Sequence, residues 1–272
     1  MIEGRAEMKY AVPVERRAAI LEVARGNIVP DPHADDLRAA LPGLVGPEGE
    51  PPRGYRVSSV YFDTPTLHGY TERLERQRVR NRLRVRAYGW PGQPAPVFLE
   101  AKRKRGARVI KHRADIGDAR DWETHASPRP WQALCAGADP ESPAARWVDA
   151  VDGPGMEPVC RVAYVRETWC DGTARLTMDH AVGAGIPADA RDLRGPTPEP
   201  LIPDGWMVLE LKFDADEPGW MRALVRTLHL CAEPVSKFAL GVLVLHRGGR
   251  SAERRLLTPP SILRAAWGRS SP

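Results

Sequence analysis

Polar and apolar residues alternate along much of the chain. In Val208-Leu209-Glu210-Leu211-Lys212-Phe213, Leu209, Leu211 and Phe213 share one face of an extended segment, and Glu210 and Lys212 share the other. Phe98-Leu99-Glu100-Ala101-Lys102 repeats the pattern. Arg82-Leu83-Arg84-Val85-Arg86 sets three arginines opposite Leu83 and Val85. Glu7 with Lys9, Lys111 with Arg113, Tyr164 with Arg166, and Arg175 with Thr177 and Asp179 follow the same rule. This period of two predicts strands over residues 7–12, 55–62, 78–88, 97–104, 108–116, 158–170, 174–180 and 206–213. Asp171-Gly172 is a hairpin turn between two of them.

Helices are expected between and around the strands. Pro13 opens one that runs to about residue 25, with Gly26 as its stop. Others are predicted over 34–41, from Asp63-Thr64-Pro65 to about 75, over 217–230 and over 236–245. Residues 122–150 read as helical but interrupted by Pro128, Pro130, Pro140 and Pro143. Residues 42–54 and 181–205 read as loops. The fold class is therefore α+β: an eight-stranded antiparallel sheet with helices around it. One domain is expected over residues 1–246, followed by a tail, 247–272, that is partly flexible or a short helix.

The charges on the polar faces change the picture. An antiparallel strand usually turns a polar face to water. Here nearly every such face is fully charged and mostly cationic, and adjacent arginines on one face repel unless an anion lies between them. Lys9, Arg82, Arg84, Arg86, Lys102, Lys111, Arg113, Arg166, Arg175, Lys212 and Lys237 stand against Glu7, Glu100, Asp179 and Glu210. Closing the sheet gives an inverted barrel, a tunnel with a charged lumen and apolar residues outside, beneath helices. Such a lumen suits a phosphate-rich polyanion, because Arg and Lys pair with phosphate oxygens. The few carboxylates suit a divalent cation bridging protein and phosphates.

Composition adds exclusions. The chain has 272 residues, 40 Lys+Arg against 35 Asp+Glu, and a net charge of +5, too small an excess for a histone-like protein. Aromatics are 7%, too few for the stacking platforms of single-strand binders, so nucleic acid is not the expected partner. The longest apolar run, 238–245, is far short of the ~20 residues of a membrane span. Cys135, Cys160, Cys170 and Cys231 form no C-x-x-C pair, and the N-terminus has no signal-peptide pattern, which together suggest a cytoplasmic protein with reduced thiols.

Several segments, in order, resemble the VTC domain, the polyphosphate polymerase branch of the triphosphate tunnel metalloenzymes. They are Arg5-Ala6-Glu7-Met8-Lys9-Tyr10, Tyr61-Phe62-Asp63-Thr64-Pro65, Arg84-Val85-Arg86-Ala87-Tyr88, Phe98-Leu99-Glu100-Ala101-Lys102-Arg103-Lys104 and Lys111-His112-Arg113. Tyr164-Val165-Arg166, Ala174-Arg175-Leu176-Thr177-Met178-Asp179, Val208 to Phe213 and Ser236-Lys237-Phe238 complete the set. The resemblance implies ATP-dependent transfer of a γ-phosphoryl group onto a growing polyphosphate chain in the tunnel. It implies that Lys9, Arg84, Arg86, Lys102, Lys111, Arg166 and Arg175 hold phosphates, and that Tyr164 donates a hydrogen bond to them. Arg113 and Lys212 join the substrate-binding set, and Ser236 and Lys237 meet the terminal phosphate. Glu210, with Glu7, is implied as ligand of Mn²⁺ or Mg²⁺. Arg5 stands where the wider superfamily starts E-x-E-x-K, a departure characteristic of the VTC branch that argues against a two-metal hydrolase. Pro234 and Val235 stand where the eukaryotic polymerase carries a further lysine.

Two alternatives remain at this level: a tripolyphosphate or nucleoside-triphosphate hydrolase on the same barrel, and a non-catalytic polyphosphate-binding module. Single residues also have plainer readings. Ser236 is equally well an N-cap, Asp63 fits a helix cap better than a metal ligand, and Arg103 falls on the outward face. Tyr61, Trp90, Trp131 and Trp147 read as packing residues.

Overall fold

The computed structural model describes residues 6–46, 48–105, 108–214, 216–233, 235–246, 253 and 257–262. Expectations placed on Arg5, on Pro234, on the side chain of Lys104 and on most of the tail lie outside these described residues.

Eight long strands form: β1 (Ala6–Pro13), β4 (Arg53–Asp63), β5 (Val79–Tyr88), β6 (Pro96–Arg105), β7 (Arg108–Asp118), β8 (Glu157–Cys170), β9 (Ala174–Gly185) and β11 (Trp206–Phe213). Three two-residue strands, β2 (Val29–Pro30), β3 (Asp35–Asp36) and β10 (Glu199–Pro200), pair with β8, β4 and β9. The long strands run in the order β1-β11-β9-β8-β4-β5-β6-β7, every neighbour antiparallel. Lys102 on β6 reaches back to Glu7 on β1 at 2.9 Å. The sheet therefore curls until its two ends are bridged by side chains rather than by a ladder.

The apolar faces of this curved sheet are covered as the alternation requires. Leu83, Val85 and Leu99 are buried with Trp122 of α3 (Ala119–Glu123), Trp131 of α4 (Pro130–Leu134), and Trp147 and Val151 of α5 (Pro143–Asp152). Leu209 and Leu211 are buried with Ile20, Leu21 and Ala24 of α1 (Arg17–Ala24) and with Met221 and Leu224 of α6 (Gly219–Thr227). Capping follows the sequence in places: the Ser142 hydroxyl accepts from the Ala145 N–H, with Pro143 in the first turn of α5.

One helix lies on the other side. α7 (Lys237–His246) packs on the concave face, where Phe238, Ala239, Val242 and Leu243 join Ala11, Val57, Tyr61, Cys160, Val162, Ala184 and Val208. These strand residues share their face with the lumen charges, so part of the interior is apolar and filled. Gly241 makes the close approach possible: a Cβ there would lie 2.4 Å from the Cys160 sulfur. Of the tail, Leu257 and Ile262 are buried in the same cluster.

Two expectations change. Residues 34–41 form turns and a short bridge to β4 instead of a helix. Asp36 accepts from the Arg38 N–H at 2.8 Å, an Asx-type bond that diverts the backbone from helical pairing. Residues 181–185 continue β9 past the predicted stop, through a register shift opposite β8.

Candidate functional site

The rest of the concave face carries the charges, arranged around three buried carboxylates, Glu210 with Asp179 and, apart from them, Glu100. Register brings them together. Lys9 lies opposite Glu210, Arg166 opposite Asp179, Arg84 opposite Glu100, and Glu100 opposite Arg113.

Glu210 is 3% exposed and sits among four cations. Lys212 donates to its Oε2 at 2.7 Å and Lys237 to its Oε1 at 3.0 Å. Lys9 lies 3.3 Å and Arg166 3.5 Å from it. Burial alone would raise this carboxyl, but Lys212, Lys237, Lys9 and Arg166 overcome burial and hold it well below the usual carboxylate range. Asp179 binds Arg166 through two bonds, 2.6 and 2.8 Å, and also accepts from Lys237 at 2.5 Å. The Arg166 fork is thus fixed in orientation before any substrate arrives.

Glu100 is 1% exposed and is the second hub. Arg84 Nη2 lies at 2.6 Å, Lys111 at 2.7 Å, Arg113 at 3.6 Å and Arg86 at 3.9 Å. Burial is again outweighed, here by Arg84, Arg86 and Lys111, so Glu100 stays ionised. Arg84 also donates to the Tyr61 hydroxyl at 2.9 Å, so Tyr61 is more than a packing residue. Arg86 differs from its neighbours. Its hydrogen bonds go to neutral groups, the Ser59 hydroxyl at 3.0 Å and the Tyr164 hydroxyl at 3.3 Å. It is 7% exposed, and its nearest carboxylate, Glu100, lies 3.9 Å away. Tyr164 accepts from Arg86, which leaves its own proton free to donate.

The expected site residues do not all meet. Glu7, Lys9, Lys102, Lys212 and Glu210 form one chain of ion pairs, and Arg84, Arg86, Lys111 and Arg113 gather on Glu100. Arg175 instead pairs with Asp31 at 3.0 Å, at the rim near Tyr55. Ser236 accepts from the Ala239 N–H at 3.4 Å, the geometry of a cap, whereas Lys237 points into the charged cluster. Asp63 accepts from the N–H groups of Thr64, Gly69 and Tyr70, and so caps α2 (His68–Leu74). Asp179 and Glu100 were visible on charged strand faces, but their roles as hubs depend on cross-strand register.

The residues present can hold a divalent cation only in part. Glu7 and Glu210 each lie 3.3 Å from Lys9, and Lys212 touches both, so the two carboxylates face one small space. Among the described residues, no three His, Cys, Asp or Glu side chains converge to cage a metal. One or two carboxylates with the rest of the shell from phosphate oxygens and water is the usual binding of Mg²⁺ on a polyphosphate. The donor set fits a cation that arrives with its phosphates.

The VTC domain family matches residues 4–246, and the chain belongs to that family. A search of curated proteins returned no match. Among solved structures, a candidate adenylate cyclase from Bacillus halodurans is 13% identical, with TM-score 0.43, covering 86% of this chain and 94% of that one. A candidate adenylate cyclase from Vibrio parahaemolyticus is also 13% identical, with TM-score 0.40 and coverage of 85% and 91%. A conserved protein from Pyrococcus furiosus is 11% identical, with TM-score 0.36 and coverage of 88% and 91%. Likenesses this distant carry no argument about function. Family membership supports a function on polyphosphate or triphosphate and a place among phosphoryl-transfer enzymes that use a divalent metal. No helix among the described residues is long and apolar enough to cross a membrane.

Proposed function

We propose that this chain is an ATP-dependent polyphosphate polymerase acting in the cytoplasm. The observation that carries this reading is the imbalance of the lumen: nine cations, Lys9, Arg84, Arg86, Lys102, Lys111, Arg113, Arg166, Lys212 and Lys237, gather on four carboxylates, Glu7, Glu100, Asp179 and Glu210. A low-dielectric space with surplus positive charge is stable when a multiply charged anion fills it.

Arg84, Arg86 and Lys111 would bind one stretch of phosphates, and Lys9, Arg166, Lys212 and Lys237 the next. In the transfer, a terminal oxygen of the polyphosphate chain attacks the γ-phosphorus, the bond to the β,γ-bridging oxygen breaks, and ADP leaves. No side chain forms a covalent bond. The protein's part is to align two polyanions that repel one another and to neutralise charge shared over the transferring group. Arg166 is held by Asp179 and Arg86 by Ser59 and Tyr164, so neither reorganises when charge shifts. A Mn²⁺ or Mg²⁺ held by Glu210 and Glu7 would add Lewis-acid neutralisation of the phosphate oxygens.

The test is incubation of the protein with ATP and Mn²⁺, with products separated by chain length. Long polyphosphate with stoichiometric ADP is the expected result. Orthophosphate alone would make the chain a hydrolase, and no turnover would make it a binding module.

A further inference from the structure

The lumen mouth away from α7 carries aromatic rings where its other positions carry charge. Tyr88 of β5 and Phe98 of β6 stand edge to face with centroids 5.8 Å apart, and Tyr55 of β4 meets Tyr88 in the same way at 5.4 Å. The Arg113 guanidinium lies 3.5 Å over the Phe98 ring and 5.5 Å from that of Tyr88.

These rings are more exposed than the fully buried aromatics of the same protein. Trp122, Trp131 and Trp147 are at most 2% exposed beneath helices. Tyr88 and Phe98 are partly exposed on the concave side, where Tyr88 adjoins the apolar cluster, and Arg113 keeps 39% of its side chain exposed. A partly exposed guanidinium stacked on a ring is a surface on which another flat π-system can stack. Its position is also specific. Tyr88 follows Arg86 by two residues on the same face of β5, a step of about 7 Å, close to the span of a ribose between phosphate and base.

We infer that Tyr88, Phe98 and Arg113 form a nucleobase shelf at the open mouth, on which the base of the donor nucleotide stacks while its phosphates lie on Arg86 and Arg84. The inference rests on the reading of a nucleoside triphosphate as donor, and deepens it. Stacking accepts any base but favours the larger purine surface, so the shelf gives a graded preference for purine over pyrimidine nucleotides.

The experiment compares two triphosphate ligands of which only one carries a base. Calorimetry measures binding of β,γ-imido ATP and of inorganic tripolyphosphate to wild type, Tyr88→Ala, Tyr88→Phe and Phe98→Ala, with thermal melts to confirm folding. Tyr88→Ala and Phe98→Ala should weaken the nucleotide roughly tenfold and tripolyphosphate less than twofold. Tyr88→Phe, which keeps the ring, should bind the nucleotide like wild type. Equal losses for both ligands, or none for either, would overturn the shelf while leaving the polymerase reading intact. Wild type that makes no polyphosphate from ATP is a failure of the donor assignment itself, read from products and not from these affinities. An unfolded alanine variant leaves the second one, and Tyr88→Phe against Tyr88→Leu, to decide.

Discussion

The convex and concave faces of the same sheet bury ionic groups in opposite ways. On the convex face, Arg17 donates to Glu167 at 2.6 and 2.8 Å, and His180 Nε2 lies 2.8 Å from the same carboxylate. Arg194 pairs with Glu123 and donates to the carbonyls of Trp90 and Gln93; Arg161 pairs with Asp192. Each of these three guanidinium groups has its own carboxylate, and several of their other donors end on backbone oxygens. On the concave face nine cations share four carboxylates, Glu7, Glu100, Asp179 and Glu210. Balanced, closed clusters fix loops and helices to a scaffold. An unbalanced cluster is incomplete until an anion arrives, which is why buried charge alone is a poor sign of function and its stoichiometry a better one.

The comparison breaks first on stability. Glu167→Gln should cost about 3–5 kcal/mol, since it strands Arg17 in the interior, and urea denaturation with tripolyphosphate present should show no rescue. Glu210→Gln should lose polymer synthesis by at least about a hundredfold, ~2.7 kcal/mol in the barrier, and added tripolyphosphate should raise its melting temperature, because phosphate can take over the freed lysines. Equal rescue of both variants would erase the distinction between the faces.

Within the lumen, Arg84→Ala, Arg86→Ala and Arg166→Ala should each weaken tripolyphosphate binding by about 1.5–3 kcal/mol, the range for charge-assisted bonds. Arg103→Ala, on an exposed outward side chain, should change it less than twofold. A flat response across all four, with one common salt dependence, would describe a diffuse basic surface.

Smaller effects come from pH. Glu210, Asp179 and Glu100 have folded pKa values below their ordinary ones, so the stability they contribute is present above about pH 4 and is lost as pH falls through the lowered values. Acid denaturation monitored by circular dichroism should therefore begin only below that range. At the mouth, burial would raise the Tyr88 phenol, but Arg86 and Arg113 overcome both burial and the Glu100 charge and bring it down to about 8. Tripolyphosphate affinity should then decline above pH 8 as a phenolate forms beside the phosphate-binding arginines, and Tyr88→Phe should flatten that decline in a titration.

Much of this was legible in the chain. Leu209, Leu211, Leu83, Val85 and Leu99 alternate with Glu210, Lys212, Arg84, Arg86 and Glu100, and two-residue periodicity assigns them to opposite faces whatever the neighbouring strands. The helix expected at 34–41 failed because propensity there competes with an Asx bond and a pairing to β4 that depend on distant residues.

Local periodicity, then, determined the strands, their two faces and the surplus of cations on one of them. Tertiary structure alone decided which charges share a carboxylate, because register and curl bring Lys237, Lys9, Arg166 and Lys212 from four elements onto Glu210. It also decided that Arg175 answers to Asp31, a residue of a loop whose path no period encodes. And it placed α7 inside the curve, since its amphipathic pattern gives way to a nearly uniform apolar surface that could have been buried on either side of the sheet.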